Sequence, residues 1–141
     1  MVKLTIPTVD KILFSTHLEV RVYDLNYGNH LGNDSLVSLI HEARVRFLKH
    51  YQFTEIDIGG VGILVTALAV KYKAEAFYGD EITIDIGIGD ISKTSLDIHY
   101  QLKRQDNLKI IADAVTTVTF FDYKHSKVVR VPGIFLEAIQ L

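Results

Sequence analysis

The order of its amphipathic segments restricts the fold of this chain more than any other feature. Four long segments have the alternation and the β-branched content of strands, at about residues 63–76, 81–92, 95–104 and 109–123. A helical segment at about residues 34–51 precedes them. It carries a single apolar stripe at three- and four-residue spacing, which consists of Leu36, Leu39, Ile40, Ala43 and Phe47. A helix with one apolar stripe can cover only one face of a sheet.

The connectors between these segments determine how the strands are arranged. They lie at residues 77–80, 93–94 and 105–107, and a parallel crossover would need many more residues. Residues 15–23 add a fifth strand before the helix. The sequence therefore predicts an α+β fold, in which an antiparallel five-stranded sheet wraps around a long central helix. Because a sheet edge must be paired or protected, we expect a homo-oligomer, either a dimer or a dimer of dimers.

Length and composition limit the possible functions. The chain has 141 residues, of which 48% are hydrophobic, so we expect a single domain over residues 1–141. A formal net charge of -2 and the lack of a long apolar run predict no nucleic-acid or membrane partner. The absence of Cys excludes disulfides and thiolate metal sites and is typical of a cytoplasmic protein. Since the His residues share no ligand spacing, we expect no metal.

The two ends of the chain are less informative. Residues 1–14 are compatible with a short helix or with an irregular lead-in. Residues 132–141 are compatible with a short terminal helix that starts at Pro132.

A polar, glycine-containing loop at residues 24–33 leads into the helix. Asn33, Asp34 and Ser35 are all suitable N-cap residues, and an acid there complements the positive end of the helix dipole. A loop that brings polar side chains to a helix N-terminus is a common way to build an acid/base site beside backbone N–H donors. The loop is therefore the predicted active site.

Three short motifs in this order resemble the hot-dog fold and, within it, the 4-hydroxybenzoyl-CoA thioesterase-like acyl-CoA thioesterases. Residues 21–26 (RVYDLN) resemble the family's opening strand with its Asp-x-Asp. Residues 30–34 (HLGND) and 41–44 (HEAR) resemble its His-x-Asn-Asn loop and the Glu-Ala-Arg of its central helix, and residues 77–81 (FYGDE) resemble its strand-to-strand turn. The resemblance covers about residues 15–125. It implies hydrolysis of an acyl-CoA thioester, with coenzyme A as part of the substrate and no separate cofactor.

The chain departs from the family at one position. The second acid of Asp-x-Asp acts as nucleophile or base in many members, and that position here is Asn26. An amide cannot accept a proton at neutral pH or act as a carboxylate nucleophile. Either the chemistry has moved to a neighbouring acid, or Asn26 orients a water molecule, or the chain is a weak enzyme.

Three acids are candidates for the missing base or nucleophile. Asp34, at the helix start, is the preferred one, although capping of the helix is the alternative role. Asp24 is the second choice, and it could instead bind loop amides or pair with Arg21. Glu42 lies eight residues beyond Asp34, about 80° away around the helix axis, and an ion pair with Arg46 at i,i+4 is the more expected role for it.

The remaining candidates would bind or position the substrate. His30 could polarise the substrate carbonyl or orient a water molecule. Gly28 and Gly32 could let backbone N–H groups approach the oxygen, or could supply positive φ. The acyl tunnel would be lined by the helix stripe and by one face of the strand at 63–76, containing either Leu64, Thr66 and Leu68 or Val65, Ala67 and Ala69. The other predicted substrate contacts are Tyr27, Asn33, Lys71, Lys93, Thr94 and Ser95.

The expected function is that of an acyl-CoA thioesterase whose site is shared across a homodimer. The alternatives are a non-catalytic acyl-thioester binding protein, which Asn26 would favour, and a thioesterase acting on acyl-acyl-carrier protein. Hydration or dehydration of an acyl thioester is less favoured, because the Asp/His pair on a longer loop is not evident.

Overall fold

A computed structural model describes residues 3–140. The regular elements are β1 (Phe14–Glu19), a 3-10 turn (Val22–Asp24), α1 (Asn33–His50), β2 (Gly62–Tyr72), β3 (Glu81–Ile91), β4 (Ser95–Arg104), β5 (Ile110–Asp122), β6 (Lys127–Val128) and α2 (Gly133–Ile139). Residues 3–13 form no helix or strand. Of the predicted terminal segments, Met1, Val2 and Leu141 lie outside the described residues.

The strands form one antiparallel sheet in the order β1-β3-β4-β5-β2, and the two-residue β6 pairs with β5. Each pair of neighbouring strands is antiparallel. The predicted antiparallel five-stranded sheet with one long helix is therefore confirmed, and β6 is an addition to it. β1 and β2 are the two edges of the sheet.

The core lies between α1 and the concave face of the sheet. All five residues of the predicted apolar stripe of α1 are at most 4% exposed, as are Ile82, Ile84 and Ile86 of β3. The rings of Phe14 and Phe47 join β1 to α1 at a centroid distance of 6.1 Å. Each buried Leu, Ile or Phe side chain stabilises the fold by about 1.5–3 kcal/mol, so the helix is held firmly against the β1 and β3 side of the sheet.

The predicted first strand ends earlier than expected. The alternation of residues 19–22 predicts a strand up to Tyr23, but β1 ends at Glu19 and a 3-10 turn follows. The backbone N–H of Arg21 donates to Oδ2 of Asp24 at 2.8 Å, which bends the chain into that turn. As a result Val22 and Tyr23 are 69% and 93% exposed instead of packing on the core.

A β-bulge in β2 decides which of its side chains face the helix. The register with β5 shifts between Val65 and Ala67, so Val65 lies opposite Val118 while Leu68 lies opposite Thr116. Opposite residues of an antiparallel pair share a face, and Val118 and Thr116 are buried in the concave face. The concave side of β2 therefore combines Val65 with Leu68. Neither predicted face, with residues 64, 66 and 68 or with residues 65, 67 and 69, contains both of them.

Candidate active site

The polar loop folds back on itself at the start of α1. Leu25 and Leu31 form an antiparallel bridge, and the Gly32 N–H donates to the Asp24 carbonyl at 2.9 Å. The Leu31 N–H donates to the Ala76 carbonyl at 2.7 Å, so the β2–β3 connector anchors the loop from outside. These bonds bring the loop residues and the helix start together, as the sequence predicts.

Asn26 organises the tip of this loop. Its Oδ1 accepts the N–H groups of Gly28 at 2.8 Å and His30 at 3.4 Å. Its Nδ2 lies 3.4 Å from Nδ1 of His30, and its backbone N–H donates to the His30 carbonyl at 2.9 Å. Asn29, between them, has a φ of 64°. Asn26 therefore holds His30 at both its backbone and its imidazole, while Tyr27 points entirely into solvent.

Asp24 is committed to the fold of the loop. The carboxylate is buried and accepts the backbone N–H and the guanidinium of Arg21, the latter at 3.3 Å. Pairing with Arg21 is the alternative role that the sequence predicts for Asp24. The ion pair also raises the pKa of Arg21, through the hydrogen bond and then the charge of Asp24.

Asn33 and Asp34 occupy the exposed first turn of α1. Oδ1 of Asn33 accepts the Asp34 N–H at 3.0 Å, and Oδ1 of Asp34 accepts the Ser35 N–H at 2.9 Å. No residue among 3–140 donates a hydrogen bond to Oδ2 of Asp34. The N-cap position is Gly32, so Asp34 is not the capping residue but lies in the first turn, where one oxygen accepts the Ser35 N–H and the other is presented at the positive end of the helix dipole.

Tyr72, at the end of β2, also belongs to this site and was not predicted. Its hydroxyl donates to the Asn33 carbonyl at 2.9 Å. Burial raises the pKa of Tyr72, and the nearby charge of Asp34 raises it further. The sequence offers no local signal for this contact, because it depends on where the strand end meets the helix start.

Glu42 faces a different part of the surface. Its carboxylate accepts Nε of Arg46 at 2.9 Å, and the same guanidinium donates to Thr16 and to the His17 carbonyl on β1. This ion pair ties α1 to the β1 edge of the sheet, whereas Tyr72 approaches α1 from the β2 edge. Glu42 therefore lies away from the helix start, in a cavity that it lines together with Arg21, the partner of Asp24.

Gly28 and Gly32 do not act through either of the two predicted routes. Both N–H groups are used inside the loop, and neither residue has a positive φ. Each glycine instead leaves room for the end of a neighbouring side chain. A Cβ at Gly32 would lie 2.7 Å from Oδ1 of Asp34, and one at Gly28 would lie 3.1 Å from Nε2 of His30.

The predicted phosphate and pantetheine contacts fall into two groups. Lys71 precedes Tyr72 and is close to the helix start, on the outer face of the sheet opposite Asp113. Lys93, Thr94 and Ser95 lie at the far end of β3, where the Lys93 carbonyl accepts the Val131 N–H. Within one protomer the second group is the length of a strand away from the polar loop.

A polar network that runs from the surface to the buried Arg44 and Tyr100 was also missed. Nε of Arg44 donates to Glu55 at 2.9 Å, His41 lies 2.7 Å from the other Glu55 oxygen, and Arg44 reaches the buried Tyr100 hydroxyl at 3.4 Å. Burial would raise the pKa of Glu55, but the hydrogen bonds from Arg44 and His41 outweigh it and lower that pKa. The network attaches the connector before β2 to the middle of α1.

No helix within residues 3–140 has the length and apolar character needed to cross a membrane.

Comparison with known proteins identifies the family. A profile of the thioesterase-like superfamily matches residues 20–139. The long-chain acyl-CoA thioesterase FadM of Escherichia coli is 22% identical over 126 residues, covering 89% of this chain and 96% of the relative.

Solved structures share the fold at low identity. A 1,4-dihydroxy-2-naphthoyl-CoA thioesterase from Synechocystis superposes with a TM-score of 0.82 at 18% identity, covering 90% of this chain and 95% of the other. A DHNA-CoA thioesterase from Staphylococcus aureus gives 0.79 at 18% identity, covering 89% and 87%. The chain therefore has the hot-dog fold and belongs to the thioesterase-like superfamily, and thioesterases are hydrolases.

Proposed function

We propose that the protein hydrolyses acyl-CoA thioesters at the polar loop, with Asp34 as the general base. The observation that carries the proposal is the uncommitted oxygen of Asp34 at the N-terminus of an 18-residue helix. Asp24 is buried against Arg21, and Glu42 is paired with Arg46 on the β1 side. Asp34 is thus the one of the three predicted acids that is both exposed and next to the loop.

The proposed step needs only water as co-reactant. Asp34 removes a proton from a water molecule while the water oxygen bonds to the thioester carbonyl carbon, which gives a tetrahedral oxyanion. The carbonyl then re-forms, the C–S bond breaks, and the proton on Asp34 passes to the thiolate sulfur. The products are a carboxylic acid and the free thiol of coenzyme A. The positive end of the α1 dipole favours both the Asp34 carboxylate and the oxyanion.

The position of the lysines supports a coenzyme A substrate. Lys73, Lys103 and Arg104 are neutralised by Asp113, Asp85 and Asp80. Lys71 and Lys93 form no ion pair within residues 3–140, so they remain available for phosphate groups. The relatives named above act on acyl-CoA thioesters of different acyl groups, which agrees with this substrate class.

The proposal includes a homodimer that pairs its β2 edges. In residues 3–140 no strand pairs with the outer edge of β2, and four apolar side chains on it are 38–49% exposed, namely Leu64, Val65, Leu68 and Tyr72. Antiparallel pairing would bring the far end of the partner's sheet, which holds Lys93, Thr94 and Ser95, toward the first protomer's site. A cytoplasmic location, expected from the sequence, belongs to the same proposal.

A free-thiol assay over short-chain, long-chain and aromatic acyl-CoAs tests the proposed function. We expect saturable release of thiol with at least one acyl class. Saturable binding of acyl-CoA without thiol release would instead support the non-catalytic binding protein. Thiol release from acyl-acyl-carrier protein alone would move the substrate to that carrier.

A further inference from the structure

The orientation of the Asn26 side-chain amide is fixed by two backbone donors. The N–H groups of Gly28 and His30 both point at the same atom, at 2.8 and 3.4 Å. A backbone N–H needs an acceptor, and only the oxygen of a side-chain amide accepts. That atom must therefore be Oδ1, and the NH₂ group of Asn26 must lie on the opposite side.

This orientation decides where His30 carries its proton. The NH₂ group of Asn26 faces Nδ1 of His30 at 3.4 Å. An amide NH₂ donates and does not accept, so Nδ1 must present its lone pair. A neutral imidazole holds one proton. We infer that Asn26 is a positioning residue that keeps the proton of His30 on Nε2, so that His30 is a hydrogen-bond donor to the thioester oxygen and not a base.

The surroundings of Nε2 are suited to that role. Gly28 leaves the space beside Nε2 open, since a Cβ there would lie only 3.1 Å away. The charged group that faces the ring is Glu75, on the β2–β3 connector, and its carboxylate is 3.8 Å from Nε2, beyond hydrogen-bond distance. The N–H groups of Gly28 and Gly32 are used inside the loop, whereas the Nε2–H of His30 is a donor that the bonds within the loop leave unused.

The inference also explains why an amide stands at position 26. An aspartate there would keep an oxygen for the two backbone N–H groups, but it would place a second oxygen against Nδ1. That oxygen would attract a proton to Nδ1 and make the imidazole a doubly protonated or Nδ1-protonated group. With an aspartate at position 26, His30 would no longer be a simple Nε2 donor, and the aspartate itself could act as the base. With Asn26, the proposed base is Asp34 and His30 is the donor. The role of His30 as a donor to the thioester oxygen rests on the proposed function, whereas the position of the proton on His30 does not.

The tautomer can be measured without any substrate. We would record long-range ¹H–¹⁵N correlation spectra of the full chain with ¹⁵N-labelled His, at a pH where imidazoles are neutral, and assign His30 by the signal lost in His30→Gln. We expect a protonated Nε2 and an unprotonated Nδ1 in the wild type. In Asn26→Asp we expect Nδ1 to become protonated. Asn33→Asp is the matched control, because it adds the same charge to the same loop without facing Nδ1, and it should leave the tautomer unchanged.

Activity gives a second, independent test. A Gln side chain places an amide donor near the position of Nε2, whereas Asn places it near Nδ1. We therefore expect His30→Gln to keep kcat within about tenfold of the wild type and His30→Asn to lose about a hundredfold or more. Equal, large losses in both variants would show that His30 acts as a base.

Two results would overturn the inference even if the protein hydrolyses acyl-CoA. One is a wild-type His30 that is protonated on Nδ1, and the other is an Asn26→Asp protein in which His30 keeps the wild-type tautomer. Conversely, a protein that releases no thiol from any acyl-CoA would end the proposed function and leave the tautomer to be decided by the spectra.

Discussion

Asp34 combines a structural and a proposed chemical role in one side chain. One carboxylate oxygen accepts the Ser35 N–H, and the absence of a side chain at Gly32 leaves room for that oxygen. An Asn at this position would keep an oxygen that accepts the Ser35 N–H, because a side-chain amide also has a carbonyl oxygen. It would remove the group that accepts a proton. The two roles can therefore be separated by a single isosteric change.

For Asp34→Asn we expect kcat for acyl-CoA hydrolysis to fall by about 10²–10⁴-fold, the usual contribution of a general base. The unfolding midpoint should stay within a few degrees of the wild type. Steady-state kinetics and thermal denaturation measure the two quantities. Asp57→Asn is the matched control, because the Asp57 carboxylate also accepts a backbone N–H, that of Gly60, outside the site. An Asp34→Asn protein with wild-type kcat would exclude Asp34 as the base.

Most residues of the candidate site could be predicted from the sequence, because the residue types and spacings that mark them lie close together in the chain. The loop residues are close in sequence, so their types and spacing are enough to mark them. Tyr72 and Glu55 could not be found in this way, since Tyr72 meets Asn33 across 39 positions and Glu55 meets Arg44 across 11. Asp24 was correctly considered as a partner of Arg21, because that pair is also local.

At the scale of the elements, the strands that follow a strict alternation were predicted best. β4 has the predicted bounds, Ser95–Arg104. The helix α1 was predicted at about residues 34–51 and spans Asn33–His50, so each of its ends lies one residue earlier than predicted. β1 and β2 were predicted less well for two physical reasons. A side-chain hydrogen bond at Asp24 ends the alternating run before Val22, and a bulge after Val65 exchanges the faces of β2. Neither event changes the apolar pattern from which a strand is predicted.

The contact between β2 and the start of α1 depends on one phenol hydroxyl. Tyr72→Phe should lower the free energy of unfolding by about 1 kcal/mol, the typical net value of one hydrogen bond. We also expect kcat to fall about fivefold with little change in KM, because Asp34 loses the contact that holds its helical turn. Urea denaturation and steady-state kinetics measure these effects.

Tyr100→Phe is the control for Tyr72→Phe. The Tyr100 hydroxyl also joins the sheet to α1, through Arg44 at 3.4 Å, but far from the loop. The Tyr100→Phe variant should have a lower free energy of unfolding and an unchanged kcat. If both variants lose kcat in proportion to stability, Tyr72 has only a structural role.

The connector before β2 is held to α1 by the Glu55 carboxylate, and this attachment depends on pH. The hydrogen bonds from Arg44 and His41 outweigh the effect of burial and lower the pKa of Glu55 from its ordinary value of 4.5. A carboxylate with a lowered pKa in the folded state adds stability above its unfolded pKa, and this stability is lost as pH falls through the folded pKa. Glu55→Gln should therefore cost about 1–2 kcal/mol at pH 7, and the difference from wild type should shrink below pH 4.5.

Denaturant unfolding of both proteins at several pH values tests this expectation. Glu137→Gln, an exposed acid on α2, serves as the control and should show no such difference at any pH. A destabilisation by Glu55→Gln that is the same at pH 3 and pH 7 would mean that the charge of Glu55 does not stabilise the fold.

At the scale of the whole molecule, the sheet has an edge that its own strands leave open. The first part of the β2 edge is covered, because the Ile63 N–H donates to the Glu55 carbonyl and the Ile63 carbonyl accepts the Tyr123 hydroxyl. Beyond Ile63 the edge carries exposed apolar side chains on both faces. Long apolar edges of this kind are prone to pair with another chain. The covered and open parts together define where a second copy can add its β2.

Leu68→Lys tests this arrangement, because a cation on a sheet edge opposes pairing with another strand. We expect the wild type to be a dimer and Leu68→Lys a monomer by light scattering coupled to gel filtration. In the proposed dimer, Lys93, Thr94 and Ser95 of the second copy approach the polar loop, so turnover of acyl-CoA should fall at least about tenfold with dissociation. Val128→Lys is the control, because Val128 is 53% exposed on β6, away from the β2 edge. A monomeric variant with full activity would show that one protomer holds the complete site.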